Sequence, residues 1–313
     1  MTTLAARFNF ASAPDSWGVL DYPGPSWNQS YEKMLDEMVA AGYAGTELGP
    51  YGFFPTDPAV LKPQLHKRKL KLLGSFVPVA LSDSASARIA VEQIRKVGNL
   101  LSELNAPFLV LADAQSEERN RISGRVPNDG SASLTAAQWK NVGRVVEEAA
   151  KVASEFGLDL VFHPHIATYV ETPKECERFF DVTSHTGVGL CLDTGHCLYG
   201  GGDAVAEADK FKSVLRLVHV KDVEARILEQ ARRKKLTFEQ AIEEKVFTII
   251  GKGAIDFPAF FRLLVTNNYS GWMVVEQDVK FGATTIPPAE SIATSLKYLR
   301  DVVRDLAVAT ATP

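Results

Sequence analysis

Six histidines are spread over the 313 residues, and four of them stand where short apolar runs end. His163 and His165 close the run in VFHPH, His196 follows in LCLDTGHC, and His219 sits in LVHVKD. Two carboxylates hold matching places, Asp193 in LCLDTGHC and Glu276 in MVVEQD. Imidazole nitrogens and carboxylate oxygens suit Mn²⁺, Co²⁺, Zn²⁺ and Fe²⁺. His163, Asp193, His219 and Glu276 therefore form a candidate ligand set for one divalent ion, with Mn²⁺ first among the four metals. Each residue also has a plainer use, since a lone His at a strand end hydrogen-bonds locally and Asp-Thr-Gly is good turn chemistry. Repetition favours the metal: four successive runs deliver a ligand type at the same end.

Other polar residues mark the ends of further runs. Residues two apart on a strand share a face, so His163 pairs with His165, and His219 with Lys221. Glu47 in GTELGP either accepts a substrate hydroxyl or leads into the next helix. Asp113 and Gln115 follow another run, and Trp17 in APDSWG is either core or a platform for the C–H side of a sugar. Cys191 and Cys197 flank Asp193, where buried inert thiols describe them better than metal ligands do.

These positions require elements that bring distant run ends together. Apolar runs at 8–12, 45–48, 71–76, 108–112, 158–162, 187–192, 215–220 and 272–276 read as strands. Amphipathic stretches at 31–41, 58–68, 84–104, 136–156, 173–183, 204–211, 257–267 and 289–305 read as helices. Pro58, Pro173 and Pro258 stand at helix starts, where a missing N–H costs nothing. Gly42, Gly157 and Gly271 stand at the exits, where a left-handed residue is usual. Eight alternations predict a single-domain (β/α)8 TIM barrel over 1–313, whose strand C-termini share one mouth. No GxGxxG or GxxxxGK[ST] at the first turn supports an open doubly wound sheet. Two stretches exceed the repeat: 115–133 reads as a long polar loop, and 223–253 as an insertion with a basic helix (Arg232, Arg233, Lys234, Lys235). Long connections of this kind serve as lids or interfaces, and the charge run reads as a solvated face.

Composition narrows the function. A net charge of −4 argues against a general polyanion surface, so no nucleic-acid partner is expected. No run approaches the roughly 18 apolar residues that span a bilayer, so no membrane partner is expected. Residues 1–10 carry Arg7 and no apolar stretch of leader length, and three cysteines form no CxxC pair. A reducing cytoplasm is the expected location.

APDSWG, GYAGTELGPYGFFPTDP, CLDTGHCLYGGGD with HVKDV, and FTIIGKGAIDFPAFF with GWMVVEQD resemble the xylose-isomerase-like TIM-barrel superfamily of sugar isomerases, epimerases and dehydratases. Within it the chain is most similar to the inosose (2-keto-myo-inositol) dehydratases, over about residues 9–305. The resemblance implies a divalent ion held by Glu, Asp, His and Glu from strands five to eight. Asp193, His219 and Glu276 match the last three, whereas His163, or in another register His165, stands where Glu is usual. It also implies that His196 contacts substrate and leaves His165 free for proton transfer. Two carboxylates with two imidazoles offset a divalent charge without excess, which keeps the ion a strong Lewis acid.

The expected activity is dehydration of a cyclic keto-polyol through an enediolate. His165 or Glu47 is the expected base, with Lys221 and His196 holding developing charge on oxygen. The alternatives are a sugar or inosose isomerase or epimerase on the same metal site, and a lyase eliminating the aglycone of a keto-glycoside. An abasic-site endonuclease of the same superfamily needs further histidines, and none ends strands two, three or four. The expected partner is a small polyol or keto-sugar, and a homo-oligomer is left open.

Overall fold

Phe, Val, Leu and Ile crowd the short runs, and each becomes a strand in the computed structural model, which describes residues 4–20, 29–280, 282 and 286–311. Residues 1–3, within the segment read above for a leader, lie outside the described residues. The strands are β1 (Phe8–Ser12), β2 (Gly45–Thr46), β3 (Lys71–Leu72), β4 (Phe76–Val79), β5 (Phe108–Asp113) and β6 (Asp159–Phe162). They continue with β7 (Gly189–Asp193), β8 (Leu215–Val220), β9 (Asp222–Val223), β10 (Phe247–Thr248) and β11 (Gly271–Val275). One sheet runs β3-β2-β1-β11-β8-β7-β6-β5-β4, every neighbouring pair parallel.

Its two outermost strands are consecutive in the chain, and the residues between them close the circle. Leu73 N–H donates to Thr46 O, and Leu48 N–H to Gly74 O, both at 2.9 Å. On the other side Phe108 N–H donates to Leu73 O at 2.9 Å and Val110 N–H to Ser75 O at 3.0 Å. The stretch predicted as one strand at 71–76 is thus two short pieces of one barrel stave. Gly74 permits the junction, because a Cβ there would lie 2.8 Å from Phe108 O. Ala11, Leu73, Val110, Val161, Cys191, Leu217 and Val274 fill the interior, and a larger apolar layer joins the outer strand faces to the helices.

Helices Tyr31–Ala41, Pro58–Arg68 and Pro173–Thr183 match the predicted spans. Local chemistry explains their sharp starts: Ser30, Asp57 and Thr172 side chains accept first-turn N–H groups, worth about 1 kcal/mol each. Gly42 (φ 99°) and Gly157 (φ 70°) are left-handed as expected. Gly271 is not; it begins β11, and Asn268 (φ 56°) makes that turn instead. Gly271 makes room for Tyr269, whose hydroxyl would lie 3.0 Å from a Cβ.

The two long excursions carry more structure than expected. The first contains the helix Glu117–Arg121. The second holds helices Ala225–Lys234 and Phe238–Glu243, bracketed by the antiparallel pair β9–β10. Val223, Leu228, Phe238 and Phe247 join Ile166 and Tyr199 in a small apolar core above the barrel rim. Arg233, Lys234 and Lys235 are exposed, as a solvated face requires. Arg232 instead turns inward, donating to Gly124 O at 3.1 Å and Tyr199 O at 2.9 Å.

Candidate metal centre and its cavity

Four ligand-type groups gather at the C-terminal ends of four neighbouring strands. Asp193 ends β7 opposite His219 of β8, and His219 is in register with Val274 of β11, two residues before Glu276. His163 follows the last residue of β6. All four are buried. Potential ligand atoms of His163, Asp193 and His219 lie within 4.8 Å of one another, and so do those of Glu47, His219 and Glu276. His219 is the hinge of the two groups, with Nδ1 3.1 Å from Glu276 Oε1 and Nε2 3.0 Å from Glu47 Oε1.

Asp193 divides its two oxygens. Oδ1 accepts the His196 N–H at 2.8 Å and caps the helix Thr194–Tyr199, so the turn reading is correct for that atom. Oδ2 lies 3.6 Å from His163 Nε2 and 3.3 Å from Lys221 Nζ, without hydrogen-bond alignment to either. His163 Nδ1 and His219 Nδ1 are likewise buried without a hydrogen-bond partner. Buried polar atoms without partners cost free energy unless something else meets them. Two imidazole nitrogens and a carboxylate oxygen left in this state fit a divalent cation of intermediate softness.

The two imidazoles also edge a cavity of about 320 Å³, whose walls include Glu47, Asp113, Gln115, His163, His165, His196, His219, Lys221 and Glu276. Gln115 contributes only to the wall. Asp113 spends both oxygens on backbone N–H groups, of Leu81 at 3.0 Å and Tyr169 at 2.9 Å. Burial still pushes its pKa up to about 6. Trp17 corrects the sugar-platform expectation: it is buried away from the cavity, and its indole N–H donates to Glu37 at 2.7 Å. Its 3-10 turn faces the ring to the core, a choice that spacing alone left open.

Electrostatics distinguish the cations in the wall. Lys221 is buried, 2.8 Å from Asp278 Oδ1, 3.2 Å from Glu276 Oε2 and 4.0 Å from Asp15 Oδ2. Burial opposes its charge, but Asp193, Asp278 and Glu276 outweigh burial and raise its pKa well above the usual lysine range. Gly195 admits the lysine stem, since a Cβ there would lie 2.9 Å from Lys221 Cβ. Burial also opposes charge on His219, yet the carboxylates of Glu276 and Glu47 pull its pKa well up. Burial, then His196 and His163, drives His165 well down, so its ring is neutral. His165 Nδ1 is 2.8 Å from Ile166 O, which can only accept. The proton therefore sits on Nδ1 and the lone pair on Nε2. His196 receives the Ile166 N–H on Nδ1 at 3.3 Å and presents Nε2 to Lys221 at 3.2 Å and Asp278 at 3.6 Å.

Among the wall residues that sequence reasoning missed are Asp278, Asp15, Phe238 and Ile242. Asp278 lies two places beyond Glu276, so the period that paired His219 with Lys221 could have found it. Asp15 sits in the irregular turn Pro14–Trp17, where no period operates. Phe238 and Ile242 come from the second excursion, well beyond the C-terminal end of the strand that precedes them. Cys191, by contrast, is the inert thiol expected, its pKa pushed up to about 12 by burial inside the barrel.

A sequence model described as xylose isomerase-like TIM barrel matches residues 35–302. An inosose dehydratase of Geobacillus kaustophilus is 32% identical over 272 residues, 87% of each chain. The rhizopine catabolism protein MocC of Rhizobium meliloti is 36% identical over 265 residues, covering 85% of this chain and 80% of that one. Among solved structures, the IOLI protein with a binding zinc atom superposes with a TM-score of 0.72 at 16% identity, over 95% of this chain and 98% of its own.

Proposed function

The chain belongs to the xylose isomerase-like TIM barrel family, and from that premise we propose that it is a metal-dependent dehydratase. Its substrate is a cyclic keto-polyol such as 2-keto-myo-inositol. The observation that carries this reading is the convergence of His163, Asp193 and His219, with buried unpaired atoms, beside a cavity that His163, His165 and His219 line. Relatives named inosose dehydratase at about this length support the choice of ring.

His163, Asp193, His219 and Glu276 would hold the ion, with Mn²⁺ first and Co²⁺, Zn²⁺ and Fe²⁺ suiting the same donors. Such an ion, when bound, supplies Lewis acidity toward a ring carbonyl and so acidifies the neighbouring C–H. Glu47, engaged with His219 Nε2, orients that imidazole, so proton abstraction falls to His165. His165 Nε2 takes the α proton. Lys221, held as an ammonium by its carboxylates, is a fixed charge for oxygen atoms of the substrate rather than a proton donor. His196, anchored by Ile166 N–H, directs the other ring nitrogen to substrate hydroxyls. The imidazolium of His165 returns its proton to the β-hydroxyl, which departs as water, and the resulting enol tautomerises to a dione. One group thus serves as base and then acid. We place this chemistry in the cytoplasm, where its free cysteines stay reduced.

The test is incubation of metal-loaded protein with 2-keto-myo-inositol while following dione absorbance. The reading predicts dione formation that a chelator abolishes and Mn²⁺ restores. An epimerised ketone with no dione would replace the dehydratase with an epimerase.

A further inference from the structure

The two long excursions lie against each other over one side of the cavity. Asn120, in the first, accepts the Phe238 N–H at 2.8 Å and donates to Glu239 Oε2 at 2.6 Å, both in the second. Arg125 of the first donates to Leu236 O at 3.2 Å. The result is a braced cover, and it delivers one large side chain to the catalytic wall. Phe238 is 1% exposed, with its ring 5.6 Å from that of His165 and 5.5 Å from that of His196. Tyr199 at 5.7 Å and Phe247 at 6.1 Å close in on it from the cover's own core. Ile242, one helical turn on, lines the same cavity.

We infer that Phe238, with Ile242, sets the size limit of the substrate ring, and that Asn120 is the positioning residue that fixes Phe238. The inference rests on the dehydratase reading for the kind of ring and deepens it. A cavity of about 320 Å³ stands at the small end of ligand pockets, which run roughly 300–1,000 Å³. One polyol ring fits such a volume, with its hydroxyls toward the carboxylates and imidazoles and its C–H side toward the aromatic and aliphatic wall. A further substituent meets a ring that cannot retreat, because aromatic neighbours and a backbone hydrogen bond hold it. Close-packed groups of this kind resist displacement.

The test uses metal-loaded protein and two probes, 2-keto-myo-inositol and the same ketone carrying one O-ethyl group. Stopped-flow binding, read before turnover, gives the ratio of their dissociation constants. The wild type is expected to favour the smaller ring at least 50-fold. Phe238→Ala and Ile242→Ala should each cut that ratio at least tenfold, Phe238→Leu by less, and Asn120→Ala at least threefold without touching the cavity. An unchanged ratio in Phe238→Ala and Phe238→Leu overturns the inference, as does a wild type that binds both rings equally or neither. Selective binding without dione formation defeats the dehydratase reading alone and leaves the size limit standing.

Discussion

At the scale of single residues, function depends on groups whose charge is decided by their neighbours. Lys221 and His165 line the same cavity, yet carboxylates hold the proton on one, while desolvation and then neighbouring imidazoles drive it off the other. His165→Ala should therefore lower turnover by about 10²–10⁴-fold, the usual worth of a general base. Metal content measured by elemental analysis should stay near one ion per chain. Loss of the ion in that variant would make His165 a ligand instead. Much of this arrangement was legible in the sequence, because strand ends announce themselves by apolar runs that stop at His, Asp or Glu. The use of each atom was not: nothing in DTGH says that Asp193 caps a helix with one oxygen and faces His163 with the other.

At the scale of elements, the helix Pro173–Thr183 ties its own start to the loops above the barrel. Glu175 completes the capping box with Thr172 and also receives Arg119, at 2.7 and 2.9 Å through two nitrogens. Glu171, 4.0 Å from the same guanidinium, must share that single cation. Burial first, and the charge of Glu175 with it, push Glu171 up to about 7 against hydrogen bonds from Gly124 and Ala167. Between about pH 4.5 and 7 the unfolded chain then binds fewer protons than the native one at this position, so this group lowers stability as pH rises. Urea unfolding should show the loss across that window, and Glu171→Gln should flatten it. A wild-type curve identical to that of Glu171→Gln would contradict the assignment. Helix spans were readable because their caps are local chemistry. The split third stave was not, because it arises from pairing on both sides around Gly74.

At the scale of the whole molecule, the barrel collects residues from across the chain, and the excursions finish the site. Eight alternations foretold the scaffold, whereas the interlocking of 115–133 with 223–253 depends on contacts such as Asn120 with Phe238, more than a hundred positions apart, which leave no periodic trace. A cation that binds only the native barrel must also stabilise it, by about 2.7 kcal/mol at a hundredfold excess over Kd. Melting with Mn²⁺ and with chelator should differ by several degrees, and Asp193→Asn should abolish the difference. The most direct test of the central claim is mass spectrometry of the product formed from 2-keto-myo-inositol in deuterated water. The account predicts a ketone that has lost one water and carries solvent deuterium at the carbon protonated on tautomerisation. Recovery of undehydrated ketone bearing deuterium beside its carbonyl would contradict it.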